Sequence, residues 1–434
     1  MYTGNLGASE TKTYHLKLWL NYDATVEVAA NKVYQSKINV IANPEIQVVD
    51  NLEATFELND KTLTSTLTNN VTSATYCTTT DNICEPNTTA SIENNSYTVE
   101  LESNENNKMV CTKLNGTSKI ICSNPLDVAI PTASETILAN KTLATRTDFS
   151  TTLTEDTTGT IYYEDTSKGT TYYFAGNPTD NWVKFANKYW RIIRINEDGS
   201  LRLIYQGTSA NTTGTGTQIT VDGSNTSAFN TSYNNNAYVG FKYTLNDVHG
   251  TGTNSTILGK LNTWYQDNLS SYASSIDGNA GFCNDRIPYS GTGLGTSATD
   301  YAAYNRLINN KQPTFECPDG DLYTTKGSED GNKALTYPIG LITADEVAYA
   351  GGVNGQTNES YYLYTNSNYW TMSPFGADSD GWAYVFAVWW DGNLDFWNVN
   401  DAVRGVRPVI NLRADIQLTG TGSQDNPFAV VGAN

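Results

Sequence analysis

The chain has 434 residues and a formal net charge of −19, from 26 Lys and Arg against 45 Asp and Glu. That excess excludes a nucleic-acid partner, which requires cations to displace phosphate counterions, and direct docking on or insertion into anionic lipid. Only 16% of residues are charged, so polarity comes from Thr, Ser, Asn and Gly, and with 28 Tyr and 9 Trp the composition is that of an extracellular β-rich protein.

No stretch reaches the roughly 18 apolar residues of a membrane span, and no signal-peptide pattern is read in roughly the first 30 residues. Residues 1–43 read as the remnant of an upstream β-rich domain or as lead-in strands, with strand patterns at 14–20 and 37–42. The expectation is a longer surface protein whose export and anchoring segments lie outside this sequence. Residues 44–128 read as a small β-sandwich of the Ig-like kind, a spacer or stalk. Short alternating strands such as "IQVVD", "EATFEL", "SATYCTTT", "SYTVELE" and "KMVCTKL" are separated by Asn, Asp and Pro. Residues 129–158 are rich in Thr, Ser and Asp with few core residues, and 129–145 read as a linker.

Six cysteines, Cys77, Cys84, Cys111, Cys122, Cys283 and Cys317, fall into three local pairs without a Cys-x-x-Cys motif. Disulfides in an oxidising compartment are the expectation. Cys77 with Cys84 and Cys111 with Cys122 would each close a hairpin-sized loop, although spacing leaves the connectivity open.

Residues 146–417 form the C-terminal domain, and 418–434 read as a tail. Strands begin at "GTIYYED" and "TTYYFAG" and continue through "NWVKFANKYWRIIRIN" and "SLRLIYQG", the last two joined by the turn "NEDG". In "STILGKLNTWYQDNLSSYASSI" the residues Ile257, Leu258, Leu261, Trp264, Tyr265, Leu269 and Tyr272 recur at helical spacing behind Ser255 as N-cap. A shorter helix, "TADEVAYAGG", has a capping box in Thr343 and Glu346 and a stop at Gly351. Short strands run to "RGVRPVINL". The fold class expected is mainly β with an α+β C-terminal domain.

Candidates for catalysis are sparse. His15 and His249, the only histidines, fall in different domains, and no Ser–His–Asp set assembles around them. Carboxylate pairs such as Asp319 with Asp321, Asp378 with Asp380 and Asp391 with Asp395 could serve a glycosidase or hold a structural Ca²⁺. In an acidic chain such pairs more often face water. No other cofactor is expected.

The segments "NWVKFANKYWRIIRINEDGSLRLIYQG", "LITADEVAYAGG", "YYLYTNSNYWTMSP" and "GVRPVINL" together resemble C-type-lectin-like domains of bacterial surface proteins. The likeness is to the formylglycine-generating-enzyme-like subgroup, which includes the variable proteins of diversity-generating retroelements. The resemblance covers residues 146–417. It implies a two-helix α+β domain with little regular sheet and long loops, one of them pinned by Cys283–Cys317. The enzymes of that group use a late cysteine pair, and no Cys follows Cys317 here, so no catalytic residue carries over and an enzyme is not expected.

In retroelement-diversified domains the variable positions precede the last core strand. That makes Trp382, Trp389, Trp390, Asp391, Asn393, Asp395, Phe396, Trp397, Asn398, Asn400 and Asp401 the candidate ligand-binding residues, with Gly392, Leu394, Val399 and Val406 as fixed scaffold. Rigid aromatic rings give contact area at low entropic cost, and Asn and Asp give adaptable hydrogen bonds. The four aromatics from Trp389 to Trp397 are expected to be exposed and contiguous on one surface. The function implied is an extracellular, surface-displayed adhesin-like protein that binds a protein or glycan. A carbohydrate-active domain with an Asp-based site and a structural stalk or pilus-like subunit are the alternatives.

Overall fold

The computed structural model describes residues 53–433 apart from 60, 69–70, 81–87, 102–104, 115–118, 129–130, 319 and 327–330. The strands expected at 14–20, 37–42 and 46–50, together with His15, Cys84 and Asp319, lie outside the described residues. The chain is mainly β, with several sheets and few helices, and divides into two compact units at residues 130 and 131.

The first unit contains β1 (Ala54–Asn59), β2 (Thr62–Leu67), β3 (Ala74–Thr79), β4 (Thr88–Thr89), β5 (Ser96–Glu100), β6 (Met109–Leu114) and β7 (Ile120–Cys122). One sheet has the order β1-β2-β5 and the other β4-β3-β6-β7. Alternation explains the packing: Leu63, Ser65 and Leu67 of β2 are buried, and Leu63, Leu67, Tyr97 and Val99 share one core with Ala74 and Val110 of the second sheet. Tyr97 and Thr112 hydrogen-bond through their hydroxyls across that core. Cys111 and Cys122 are register partners on β6 and β7 and form a disulfide. Cys77, opposite Cys111 on β3, is also disulfide-bonded.

The second unit begins earlier than the sequence suggested. Within the expected linker, Thr132 and Glu135 form a capping box for α1 (Ala133–Leu138), which buries Ala133 and Ile137. The strand β8 (Thr142–Ala144) then pairs in parallel with β9 (Thr160–Thr166). The Thr-x-x-Glu signal was present but masked by the polar composition around it. A sheet of nine strands follows, whereas the resemblance implied little regular sheet. It adds β10 (Gly169–Tyr173), β11 (Trp182–Phe185), β12 (Lys188–Ile195), β13 (Leu201–Gly207), β23 (Val409–Leu412), β24 (Leu418–Thr419) and β25 (Phe428–Val430). The stretch 418–433, expected as part of a tail over 418–434, is therefore built into the sheet. Phe428 and Val430 are buried, and β25 runs parallel to β11.

The "NEDG" turn joins β12 to β13, with Gly199 at φ +83° and its N–H donating to Asn196 O. β23 pairs with β13, which places "VINL" in the core, where Val409, Ile410 and Leu412 are fully buried. Between these strands come the short hairpin of β14 (Lys242–Tyr243) and β15 (Thr253–Asn254) and the helix α2 (Thr256–Asn268). Ser255 caps α2 by accepting from Leu258 N, and Ile257, Leu258, Leu261, Trp264 and Tyr265 face the core.

β16 (Phe282–Cys283) pairs with β19 (Leu322–Tyr323), and Cys283 and Cys317 are joined by a disulfide with Cα atoms 5.7 Å apart. By chain-entropy arithmetic a loop of this length stabilises by roughly 3–4 kcal/mol. The second main sheet has the order β17-β18-β20-β21-β22, comprising β17 (Pro288–Ser290), β18 (Thr299–Tyr301), β20 (Tyr369–Ala377), β21 (Ala383–Val388) and β22 (Leu394–Asn398). The helices α3 (Ala302–Tyr304) and α4 (Ala344–Ala350) both contact β20, and α4 also reaches β22.

Thr343 and Glu346 form the expected capping box of α4, and Gly351 ends it at φ +116°. Glu346 does more than cap. It is fully buried, accepts from Thr343 N at 2.9 Å, and pairs with Arg202 of β13 and, at 3.3 Å, with Arg194 of β12. Burial alone would raise its pKa, but the two guanidinium groups win and hold the carboxyl below its usual range. Replacing Glu346 by Ala leaves Arg202 buried without its carboxylate. Urea unfolding at neutral pH is expected to show a loss of about 3–5 kcal/mol; a loss under about 1 kcal/mol would show that the pair is not structural.

Candidate functional site

The segment "VWWDGNLDFW" is a hairpin on the outer edge of the five-stranded sheet. β21 and β22 pair from Tyr384↔Asn398 to Val388↔Leu394, and residues 389–393 make the turn. Trp389 N donates to Asn393 O at 2.8 Å and Gly392 N donates to Trp389 O at 2.9 Å. Gly392 has φ +77°, and a Cβ there would come within 1.8 Å of Asn358 O, so glycine is required on both counts.

The turn is clamped from outside by the loop 354–368. Asn358 N donates to Asp391 O, the Tyr361 hydroxyl to Gly392 O, Gly355 N to Asn393 Oδ1, and Trp390 N to Asn368 Oδ1. Asp391 takes a hydrogen bond from the Thr357 hydroxyl at 3.2 Å and orders the turn by accepting from Asn393 N. Asp391 and Asn393, expected as free contact residues, are thus partly occupied in fixing the backbone.

The candidate residues do not form one surface. Phe396 and Trp397 are neighbours on β22 and point to opposite faces. Phe396 stacks on Phe375 at 3.8 Å and meets Tyr384 edge-on at 5.6 Å. On the other face Trp397 makes a T-shaped contact with Trp389 at 5.0 Å, across the register pair Ala387↔Asp395, and carries the Arg404 guanidinium 4.0 Å from its ring centre. Nor are they all exposed. Trp390 is 53% exposed and Trp382 42%, while Trp389, Phe396 and Trp397 are half-buried. Trp382 packs on Tyr233 at the start of β21, eight residues from Trp390, or about 26 Å along an extended strand. The scaffold residues Leu394, Val399 and Val406 are buried.

The polar members divide similarly. Asn398 Oδ1 accepts from Asn400 N, and Asp401 pairs with Arg404 at 3.2 Å. Trp389 Nε1 and Arg404 Nε are buried without a hydrogen-bond partner, both beside the Trp397 ring. Arg404 and the clamping Asn358 and Asn368 were missed by sequence reasoning, since neither their spacing nor their type distinguishes them among many Arg and Asn.

The catalytic candidates also acquire places. Asp321 is fully buried rather than facing water. It receives Arg286 N, Nε and Nη2 and lies 3.1 Å from His249 Nδ1. Asp378 caps its own turn through Asp380 N and Trp382 N and accepts from the Tyr384 hydroxyl. Among the described residues no group of three or more His, Cys, Asp or Glu converges to hold a metal ion.

Burial pushes the Asp395 carboxyl above its usual range, and the Asp391 carboxylate adds to the rise against the Phe396 N–H. A folded-state pKa above the unfolded one means that the native state holds the proton more tightly. Asp395 therefore lowers stability once pH rises through that window, and the effect vanishes below the unfolded value of about 3.9. Asp395→Asn is expected to raise Tm at pH 7 and to leave it nearly unchanged at about pH 3, below the roughly 3.9 of an unshifted Asp; a gain of equal size at both pH values would rule out titration as the cause.

Compared with known proteins, this chain matches no family model, no curated protein and no solved structure.

Proposed function

We propose that this chain is an extracellular, surface-displayed binding protein in which the β21–β22 hairpin presents the ligand-contacting side chains. The observation that carries this reading is Trp390, a ring 53% exposed on a turn whose backbone is fixed by hydrogen bonds from the 354–368 loop. A rigid aromatic on a pre-set turn loses little entropy on binding. The half-buried Trp389–Trp397 pair extends the contact area on one side of the hairpin.

The second unit is read as a C-type-lectin-like domain of the kind found in variable proteins of diversity-generating retroelements. Support comes from the capped helices α2 and α4, two of the three capped helices in this unit, from the edge hairpin with its exposed Trp390 and from the buried positions between its variable-type residues. The first unit is read as an Ig-like spacer, because its sheets order their strands as β1-β2-β5 and β4-β3-β6-β7 around one core. The disulfides suit an oxidising compartment. Protein or glycan targets fit the hairpin, and no catalytic role is assigned to it.

A glycan microarray and a displayed peptide library supply ligands for the test. For any ligand retained, Trp390→Ala is expected to weaken binding by about 2 kcal/mol, roughly 30-fold, as hot-spot truncations do. Tm should change little, because the ring is exposed. Ligands whose affinity is indifferent to Trp390→Ala and Trp389→Ala would overturn the reading.

A further inference from the structure

The end of the five-stranded sheet remote from Trp390 carries an apolar surface that the hairpin does not use. Five of the nine large hydrophobic side chains exposed among the described residues fall there: Leu245, Ile287, Tyr289, Leu294 and Trp382. They belong to three segments far apart in sequence, and the backbone sets these side by side. A Cβ on Gly293 would lie 3.2 Å from Val248 Cγ2, which places the 287–298 hairpin against the 244–250 loop. A Cβ on Gly381 would lie 2.8 Å from Thr296 Cγ2, which places the 378–382 turn against the same hairpin. β17, which carries Tyr289, is the outermost strand of its sheet.

The exposed formal charges on these segments are acidic, and the Arg286 guanidinium that reaches the 244–250 loop is buried against Asp321. The three segments and the adjoining β18 contribute Asp247, Asp300, Asp378 and Asp380, and no Lys or Arg occurs in 244–250, 287–300 or 378–382. Exposed aliphatic and aromatic groups with a charged rim mark contact surfaces more often than scattered exposure does.

We propose that this end is a docking surface for a partner protein whose contact face is apolar and rimmed by Lys and Arg. Three of the five side chains, Leu245, Ile287 and Leu294, are aliphatic and offer no ring for a sugar to stack on, so the mixed aliphatic and aromatic surface suits a protein contact. Anionic membrane is repelled by the four aspartates, and so is a second copy of this chain, which carries the same charges and a net −19. This surface stands apart from the hairpin reading and survives its failure.

The test uses the intact chain and two short amphipathic helical peptides, one of Leu and Lys and one of Leu and Glu. Calorimetric titration is expected to show binding of the Lys peptide only, weakening at high salt. Trp382→Ser with Tyr289→Ser should weaken it about tenfold or more, as loss of central aromatic contacts does. Asp247→Asn with Asp380→Asn should weaken it and flatten the salt dependence. Leu143→Ser, exposed on another part of the unit, should leave it unchanged, and all variants should keep the parent Tm. Binding of the Lys peptide that ignores the Trp382 and Tyr289 changes would reduce the effect to general charge attraction and overturn the proposal. Absence of binding, equal binding of the Glu peptide, uptake by phosphatidylcholine vesicles, or a dimer abolished by the same substitutions would overturn it as well.

Discussion

The ion pair of Glu346 with Arg202 and Arg194 is the constraint on which the second unit depends. Arg194 and Arg202 lie on adjacent strands of the nine-stranded sheet, and Glu346 is the residue that caps α4. α4 in turn contacts β20 and β22 of the five-stranded sheet. One carboxylate therefore couples two sheets through one short helix. Ionised groups this deep are expensive to bury and hold only when every lone pair is matched. Glu346 meets that condition through two guanidinium groups and the Thr343 N–H.

Other buried arginines follow the same logic and explain how so many irregular segments stay ordered. Arg407 has no carboxylate partner among its hydrogen bonds. It donates to Tyr205 O, Leu363 O and Gln206 Oε1 and lies over the Tyr369 ring at 4.7 Å. Arg286 reaches Asp321, Lys242 O and Gly250 O, fastening the 244–250 loop to the core. Arg306 spans Asp285 and Asp345. Each guanidinium supplies several donors in a planar fork, and loops with free carbonyls need such donors. The hairpin then rests on a frame rigid enough to keep a turn of aromatic and acidic residues in one conformation.

Much of this frame is legible in the sequence because its signals are local. The capping box at Thr343 and Glu346, the Ser255 cap, the "NEDG" turn and the buried "VINL" strand each occupy a few adjacent residues. The equivalent signal at Thr132 and Glu135 was just as local, yet the Thr and Ser around it read as linker. The distribution of the hairpin's rings was less legible. Alternation does separate Phe396 from Trp397, but only the register of β21 shows that Trp389 and Trp397 meet across Ala387. Contacts made at long range, such as Arg404 on Trp397 through the 399–404 turn, Asp321 with His249, and the approach of the 244–250 loop and the 378–382 turn to the 287–298 hairpin, leave no pattern along the chain.

The central claim is that the hairpin separates a fixed scaffold from a replaceable face, position by position. A saturation scan of residues 382–406, read by protease resistance of the displayed chain, tests it most directly. Trp390 and Asn400 are predicted to accept most residues without loss of folding, whereas Gly392, Leu394, Val399 and Val406 reject nearly all. Broad tolerance at Gly392 and Val399, or intolerance at Trp390 matching theirs, would contradict the account and make the hairpin part of the core.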